Sequence, residues 1–201
     1  MMKDAAEDLN QRIASRVGEL RAALGVSLAA LAEKSGVSRS MISLIERDES
    51  SPTAVVLGKL SSALGVTLGS FFDPPTAAEL VSSPVARHED QPQWRDPESG
   101  YRRRNVSPPG AAQPMRIVEV HFPAGARVAF ESAERDIRTY QQVWVLEGTM
   151  NVTVAKDRHR LNAGDCLAMQ LDSPILFHNP GNKVARYVVI TASESARPLV
   201  R

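Results

Sequence analysis

The chain has 201 residues, of which 43% are hydrophobic and 23% charged, with a formal net charge of +1. That is the composition of an ordinary globular protein with room for one generous domain or two compact ones. A charge so near zero excludes polyanion binding by bulk charge, so any nucleic-acid reader here must concentrate its positive charge locally.

No apolar run approaches the roughly 20 residues that span a bilayer. The opening MMKDAAEDLNQR is polar and acidic, without a hydrophobic signal region, and a cytoplasmic protein is expected. Cys166 is the only cysteine, so no intrachain disulfide is possible, and it reads as a small core residue of a strand.

Up to about Phe72 the chain reads as helix. Ile13, Val17, Leu20 and Leu24, then Leu28, Leu31 and Ala32, recur at helical spacing. Gly25 stops the first helix, and Ser27 is a good N-cap for a second, LAALAEK. Gly36 breaks that helix, and Ser38 caps a third, RSMISLIER. Asp48 to Pro52 form a loop, Thr53 opens a fourth helix, AVVLGKLSSALG, and TLGSFF is a short fifth.

Prolines then cluster at Pro74, Pro75, Pro84, Pro92, Pro97, Pro108, Pro109 and Pro114, a density that excludes a long helix. The front of this stretch is a linker. Its later part, around Trp94 and Tyr101 to Val106, supplies a leading strand, with Trp94 buried to tie the linker to the next domain. From Arg116 the texture is short strands: RIVEVHF, RVAFES, YQQVWVLEG, TMNVTVAK, HRLN, CLAMQL, ILFHN and ARYVVITA, with Gly/Pro/Asn/Asp-rich turns between them. Such spacing points to an all-β sandwich or barrel.

The segment Ser27 to Val66 carries the strongest local signal. Leu31-Ala32, Gly36-Val37-Ser38, Ile42-Ser43, Ile45-Glu46, Pro52, Leu57 and Leu64-Gly65-Val66 together resemble the helix-turn-helix of the Xre family, related to the phage repressors, over roughly Leu9 to Phe72. The residues support the pattern independently. Ala32 lets two helices cross closely, and Gly36 accepts the left-handed backbone of a tight turn. Val37, Ile42 and Ile45 form one face of the third helix, while Arg39, Ser40, Ser43 and Arg47 form the other.

The resemblance implies that the start of the third helix contacts base edges, which falls on Arg39, Ser40 and Ser43. Arg39 suits bidentate pairing with guanine. Ser27 and Ser38 sit where helix N-termini hold phosphates, and Arg47 reaches the DNA backbone. Glu46 is expected to make a structural hydrogen bond or ion pair. Asp48 stands where the family often has glycine, in a left-handed position.

The strands resemble a cupin, a jelly-roll barrel, over about Arg116 to Ala192. The matching turns are Pro123-Ala-Gly125, Val143 to Gly148, Gly164-Asp165 and Asn179-Pro180-Gly181. Metal cupins place an HxH pair and a glutamate in the first motif and a histidine in the second. Here those positions fall on Glu131 and Ala133, on Gln141 and on Ile175, a set that cannot hold a divalent transition metal. His88, His121, His159 and His178 are scattered, with His121 and His178 facing away from the core. No nucleophile triad, phosphate loop or dinucleotide fingerprint is present. No metal, no cofactor and no enzymatic activity are therefore expected.

The expectation is a multidomain α plus all-β chain. A five-helix, lambda-repressor-like helix-turn-helix occupies 9–72, a linker and leading strand 73–108, and a cupin-like jelly-roll barrel 109–197. It describes a dimeric regulator that binds double-stranded operator DNA, with repression as the default. The alternating inward positions of the barrel hold a small-molecule effector at Glu131, Gln141, Ile175 and Phe177. Two alternatives stand beside it: a tail that only dimerises or binds another protein, and a cupin enzyme tethered to DNA.

Overall fold

The structure, a computed structural model, describes residues 2–72, 83–108, 115–131 and 138–193. Expectations for Pro74, Pro75, Pro109, Pro114 and Ala133 lie outside them. The helical part consists of α1 (Met2–Ala23), α2 (Leu28–Ser35), α3 (Arg39–Glu46) and α4 (Ala54–Ala63). The expected fifth helix is instead a 3-10 turn, Leu68–Phe72. Five residues are too few to propagate an α-helix, and burial of Phe71 and Phe72 fixes the turn against the helical core.

The start and stop signals act through identifiable hydrogen bonds. The hydroxyls of Ser27, Ser38 and Thr53 accept from the backbone N–H groups of Ala30, Met41 and Val56. Gly36 (φ 67°) closes α2 in the left-handed conformation, and Asp48 (φ 58°) adopts the same conformation after α3. Ile13, Val17, Leu31, Ile42, Ile45, Leu57 and Leu60 are all inaccessible to solvent and fill the space between the helices.

The β part forms two sheets. One has six strands: β1 (Gln93–Arg95), β2 (Arg102–Asn105), β3 (Met115–Phe122), β10 (Ala185–Ser193), β5 (Thr139–Glu147) and β8 (Cys166–Gln170), in that spatial order. The other has four: β4 (Arg127–Phe130), β9 (Ile175–His178), β6 (Thr149–Val154) and β7 (Asp157–Asn162). All pairings are antiparallel. The leading segment contributes two strands rather than one, because the turn around Asp96 to Gly100 folds it back on itself. The backbone N–H of Asp96 donates to the Tyr101 carbonyl at 2.9 Å, and Gly100 donates to Asp96 at 3.0 Å.

Between the sheets the space is filled by side chains. Val143, Val145, Met150 and Val152 are fully buried, and the ring of Phe177 lies flat against that of Tyr187, with centroids 6.0 Å apart and planes inclined by 5°. Cys166 is not a core residue: it is exposed on the outer face of β8, opposite exposed Trp144. Strand alternation decides this, because Leu167 and Met169 take the inward positions and leave Cys166 and Ala168 outside.

The helical part and the barrel share one buried cluster. Trp94 on β1 meets Phe72 edge-on at 5.7 Å and Tyr101 at 5.8 Å. The chain of rings continues through Phe122, Tyr187 and Phe177 to Phe130. Phe130 in turn packs on Gly58 of α4. Trp94 thus ties the leading strand to the helices as well as to the barrel.

Candidate nucleic-acid interface and barrel sites

Helix α3 divides as a groove-reading helix must. Ile42 and Ile45 are buried against the helical core, and Val37 closes the turn that precedes them. Arg39, Ser40 and Met41 are exposed at its first turn, and Ser43 is half-buried on the same outward side. Arg39 makes no hydrogen bond or ion pair with a described residue. The Ser38 and Ser40 hydroxyls lie 3.2 Å apart. The exposed N-termini of α2 and α3 offer backbone N–H groups beside Ser27 and Ser38.

Two arginines nearby are engaged within the protein. Arg47 donates from Nε and Nη2 to the two carboxylate oxygens of Glu49 at 2.9 and 2.8 Å, and from Nη1 to the Ser43 hydroxyl at 3.1 Å. Its guanidinium and the Glu49 carboxylate are each stabilised in the charged form, chiefly by these hydrogen bonds. Contact of Arg47 with a phosphate would require exchange of Glu49 for that phosphate. Arg21 at the end of α1 grips Glu46 at the end of α3 through Nε and Nη2, at 2.6 and 2.8 Å. Glu46 is therefore occupied in holding α3 against α1.

Of the four residues expected to hold an effector, Gln141, Ile175 and Phe177 face the barrel interior and Glu131 does not. Ile175 and Phe177 are packed core residues. Gln141 is partly buried on the same face of β5 as Val143 and Val145. Glu131 lies outside the barrel interior altogether. It is exposed, with its carboxylate 3.6 Å from the ammonium of Lys59 on α4. Val128 and Phe130 take the inward positions of β4, so alternation places Glu131 on the outer side.

A different site is present, and counting barrel motifs did not reveal it. A cavity of about 640 Å³ opens on the outer face of the six-stranded sheet. Arg102 and Arg104 reach it from β2, Glu119 and His121 from β3, Arg186 from β10 and Glu147 from β5. Register brings them together: Arg102 pairs with His121, Arg104 with Glu119, and Arg186 with both His121 and Glu147. The one available signal was the run Arg102-Arg103-Arg104, where alternation sends the first and third to one face.

Within this site Glu119 is buried and central. Arg104 Nη2 donates to it at very close range, and Arg186 Nη1 donates at 3.4 Å. Burial alone would push the Glu119 carboxyl up, but Arg104 and Arg186 outweigh it and hold it below the usual carboxylate range. His121, 3.8 Å from the same carboxylate, is pushed below its ordinary value by burial, with Arg102, Arg186 and Arg104 adding to that effect. Among the described residues no group of three or more His, Cys, Asp or Glu side chains is placed to hold a metal ion.

Comparison with known proteins agrees with this architecture. Residues 17–71 match the helix-turn-helix family HTH_3. The chain is 25% identical over 194 residues to the HTH-type transcriptional regulator SutR of Escherichia coli (strain K12), covering 90% of this chain and 94% of that one. Its fold is similar to that of an HTH_3 family transcriptional regulator from Vibrio cholerae, with 26% identity and a TM-score of 0.71, over 94% of this chain and 99% of the other. Neighbours of the β part include the cupin domain of an Xre family regulator from Enterobacter cloacae, at 12% identity and a TM-score of 0.43, over 47% of this chain and 98% of that domain. Residues 17–71 therefore form a helix-turn-helix domain of the HTH_3 type, and a two-sheet β domain follows it.

Proposed function

We propose that this protein is a transcriptional regulator that reads operator DNA as a homodimer, with a β domain that binds a small-molecule effector. The observation that carries the DNA-reading part is the division of α3. Ile42 and Ile45 anchor the helix while Arg39, Ser40 and Ser43 face outward at its N-terminal half. Arg39 is the base-reading residue with the best geometry for guanine, Ser40 and Ser43 read beside it, and the N-termini at Ser27 and Ser38 hold phosphates. Arg47 joins them when a phosphate replaces Glu49.

A helix-turn-helix of this size reads few bases, and a two-fold pair doubles the contacts. Met115, Tyr140 and Trp144 are exposed together on the outer face of the six-stranded sheet and suit the packing of a second copy. Repression is the default mode, since binding over a promoter needs no further contact. The relatives named as transcriptional regulators support the reading as a whole.

Selection of bound sequences from a random duplex library, followed by gel shift, tests it. A palindromic site is expected, with Arg39→Ala reducing affinity by roughly 10- to 100-fold, the range of one bidentate base contact. Binding that is sequence-independent and disappears with salt would overturn it.

The second reading is a β domain with only a structural role. The packing of Phe177 on Tyr187, both buried, supports it for the barrel interior. It does not account for the cavity on the outer face.

A further inference from the structure

We propose that the effector site is this outer cavity rather than the barrel interior, and that it takes a small metabolite bearing an oxyanion, either a carboxylate or a phosphoryl group. The inference rests on the regulator reading only for its effect on DNA; the binding site stands on its own geometry.

Three observations carry it. First, the cavity has the charge of an anion site. Arg102, Arg104 and Arg186 face Glu119 and Glu147, so positive charge is in excess even with His88 and His121 neutral. Its size, about 640 Å³, is that of a metabolite pocket rather than of a single bound ion.

Second, the two carboxylates are not equivalent. Glu119 is enclosed, with a side chain 11% exposed, and serves to orient Arg104 and Arg186. The Glu147 side chain is 64% exposed, yet one of its oxygens sits in the fork of Arg186, at 3.0 Å from Nε and 2.5 Å from Nη2. An exposed carboxylate in the fork of an oriented arginine marks where an oxyanion binds, and it is displaced at little cost because Glu147 returns to water. Arg102, exposed beside His121, has no hydrogen bond or ion pair with a described residue and is available to the same ligand.

Third, the strands that present these arginines are the ones that grip the helical part. On β2, Arg102 and Arg104 reach the cavity from the outer face, and Arg103 between them borders it too while its guanidinium carbon lies 4.2 Å from the centre of the Phe72 ring. On β1, Gln93 lines the cavity while Trp94 packs edge-on to Phe72. One strand thickness thus separates the ligand-facing surface from the last turn of the DNA-reading domain. A ligand that draws Arg102, Arg104 and Arg186 together acts on strands whose opposite face holds Phe72. It changes DNA affinity to the extent that it binds one arrangement of the two parts better than another.

The test uses the full chain and two probes, citrate and glucose 6-phosphate, titrated calorimetrically against sodium chloride of matched ionic strength. Saturable binding of at least one probe is expected. Citrate alone would identify a carboxylate ligand, and glucose 6-phosphate alone a phosphoryl one. Arg102→Gln, a change at an exposed position, and Arg186→Gln should each weaken binding roughly tenfold or more, as for a lost charge-assisted hydrogen bond. Phe177→Leu, inside the barrel, should leave probe affinity within about twofold. Absence of saturable binding above the chloride control overturns the site. So does binding that survives both arginine changes or is lost in Phe177→Leu.

Gel shift with the selected operator then separates the two readings. By reciprocity, a bound probe that alters operator affinity must bind with an affinity altered by the same factor when operator is present. Probe binding with unchanged operator affinity leaves the site standing and overturns the coupling. Probe binding by a protein that selects no operator overturns the regulator reading alone.

Discussion

Gly58 of α4 and Phe130 at the end of β4 meet so closely that a Cβ on Gly58 would lie 2.8 Å from Cδ1 of the phenyl ring. This contact is where the helical part rests on the four-stranded sheet. Phe130 also packs edge-on against Phe177 at 6.1 Å, so its ring has little room to withdraw. Alanine is a better helix former than glycine by about 1 kcal/mol, so an exposed Gly58→Ala change would stabilise. Here the clash is expected to reverse the sign, with a net loss of about 1 kcal/mol. Denaturant unfolding checks it. The double change with Phe130→Leu should recover the helix-propensity gain if the clash is the cause.

Asp96 is a second tie between the two parts. Its Oδ1 accepts from the backbone N–H of Ala54, the first residue of α4, at 2.8 Å, while Oδ2 accepts from the Ser99 N–H at 2.9 Å and from the Ser99 hydroxyl at 2.5 Å. An anionic side chain at a helix N-terminus meets both the free donor and the positive end of the helix dipole. The site is buried, so Asp96→Ala leaves donors unsatisfied and should cost about 1–3 kcal/mol. Asp96→Asn keeps the acceptor and should cost less. Thermal unfolding of the two variants side by side checks the order.

The Arg21–Glu46 pair joins the ends of α1 and α3, and Arg21 also donates to the Val26 carbonyl at 3.0 Å. Arg21→Ala should lower stability by about 1–3 kcal/mol, with Arg21→Lys recovering only part because lysine lacks the planar fork. Glu46→Gln should likewise reduce stability. Operator affinity per folded molecule should stay within about twofold, since Glu46 faces α1 and not the outward side of α3. A specific loss of operator affinity without a stability change would assign Glu46 to the DNA contact instead.

Stability should fall with acidification in two windows. His121 and His178 are both held below the ordinary imidazole value of 6.5: His121 by burial, with Arg102, Arg186 and Arg104 adding to it against the opposing pull of Glu119, and His178 by burial and then Arg127 and Arg158. Where the folded value lies below the unfolded one, the unfolded state binds more protons, so stability rises with pH. Their contribution is complete above 6.5 and is lost as pH falls through the lowered values. Glu119 behaves the same way from 4.5 downward, because Arg104 and Arg186 hold its carboxyl low against the effect of burial. Urea unfolding between pH 8 and about pH 2.5 checks the slope in both windows. His121→Gln should flatten the upper window, and Glu119→Gln the lower one.

The helix-turn-helix was legible in the sequence because its determinants are local. Ser27, Ser38 and Thr53 each cap a helix within three residues, Gly36 and Asp48 take left-handed turns, and the apolar spacing of Ile42 and Ile45 sets which side of α3 is buried. The strands were legible for the same reason, since alternation is a property of neighbouring residues. Only the tertiary structure decided what lies across from what. Leu167 and Met169, not Cys166, face the core because of how β8 pairs with β5, and Glu131 reaches Lys59 because α4 packs against the end of β4. The arginine cavity draws on β2, β3, β5 and β10, with Arg102 and Arg186 separated by more than 80 positions. Sheet register is long-range: hydrogen bonds between distant strands set it, and no local pattern encodes which charges become neighbours.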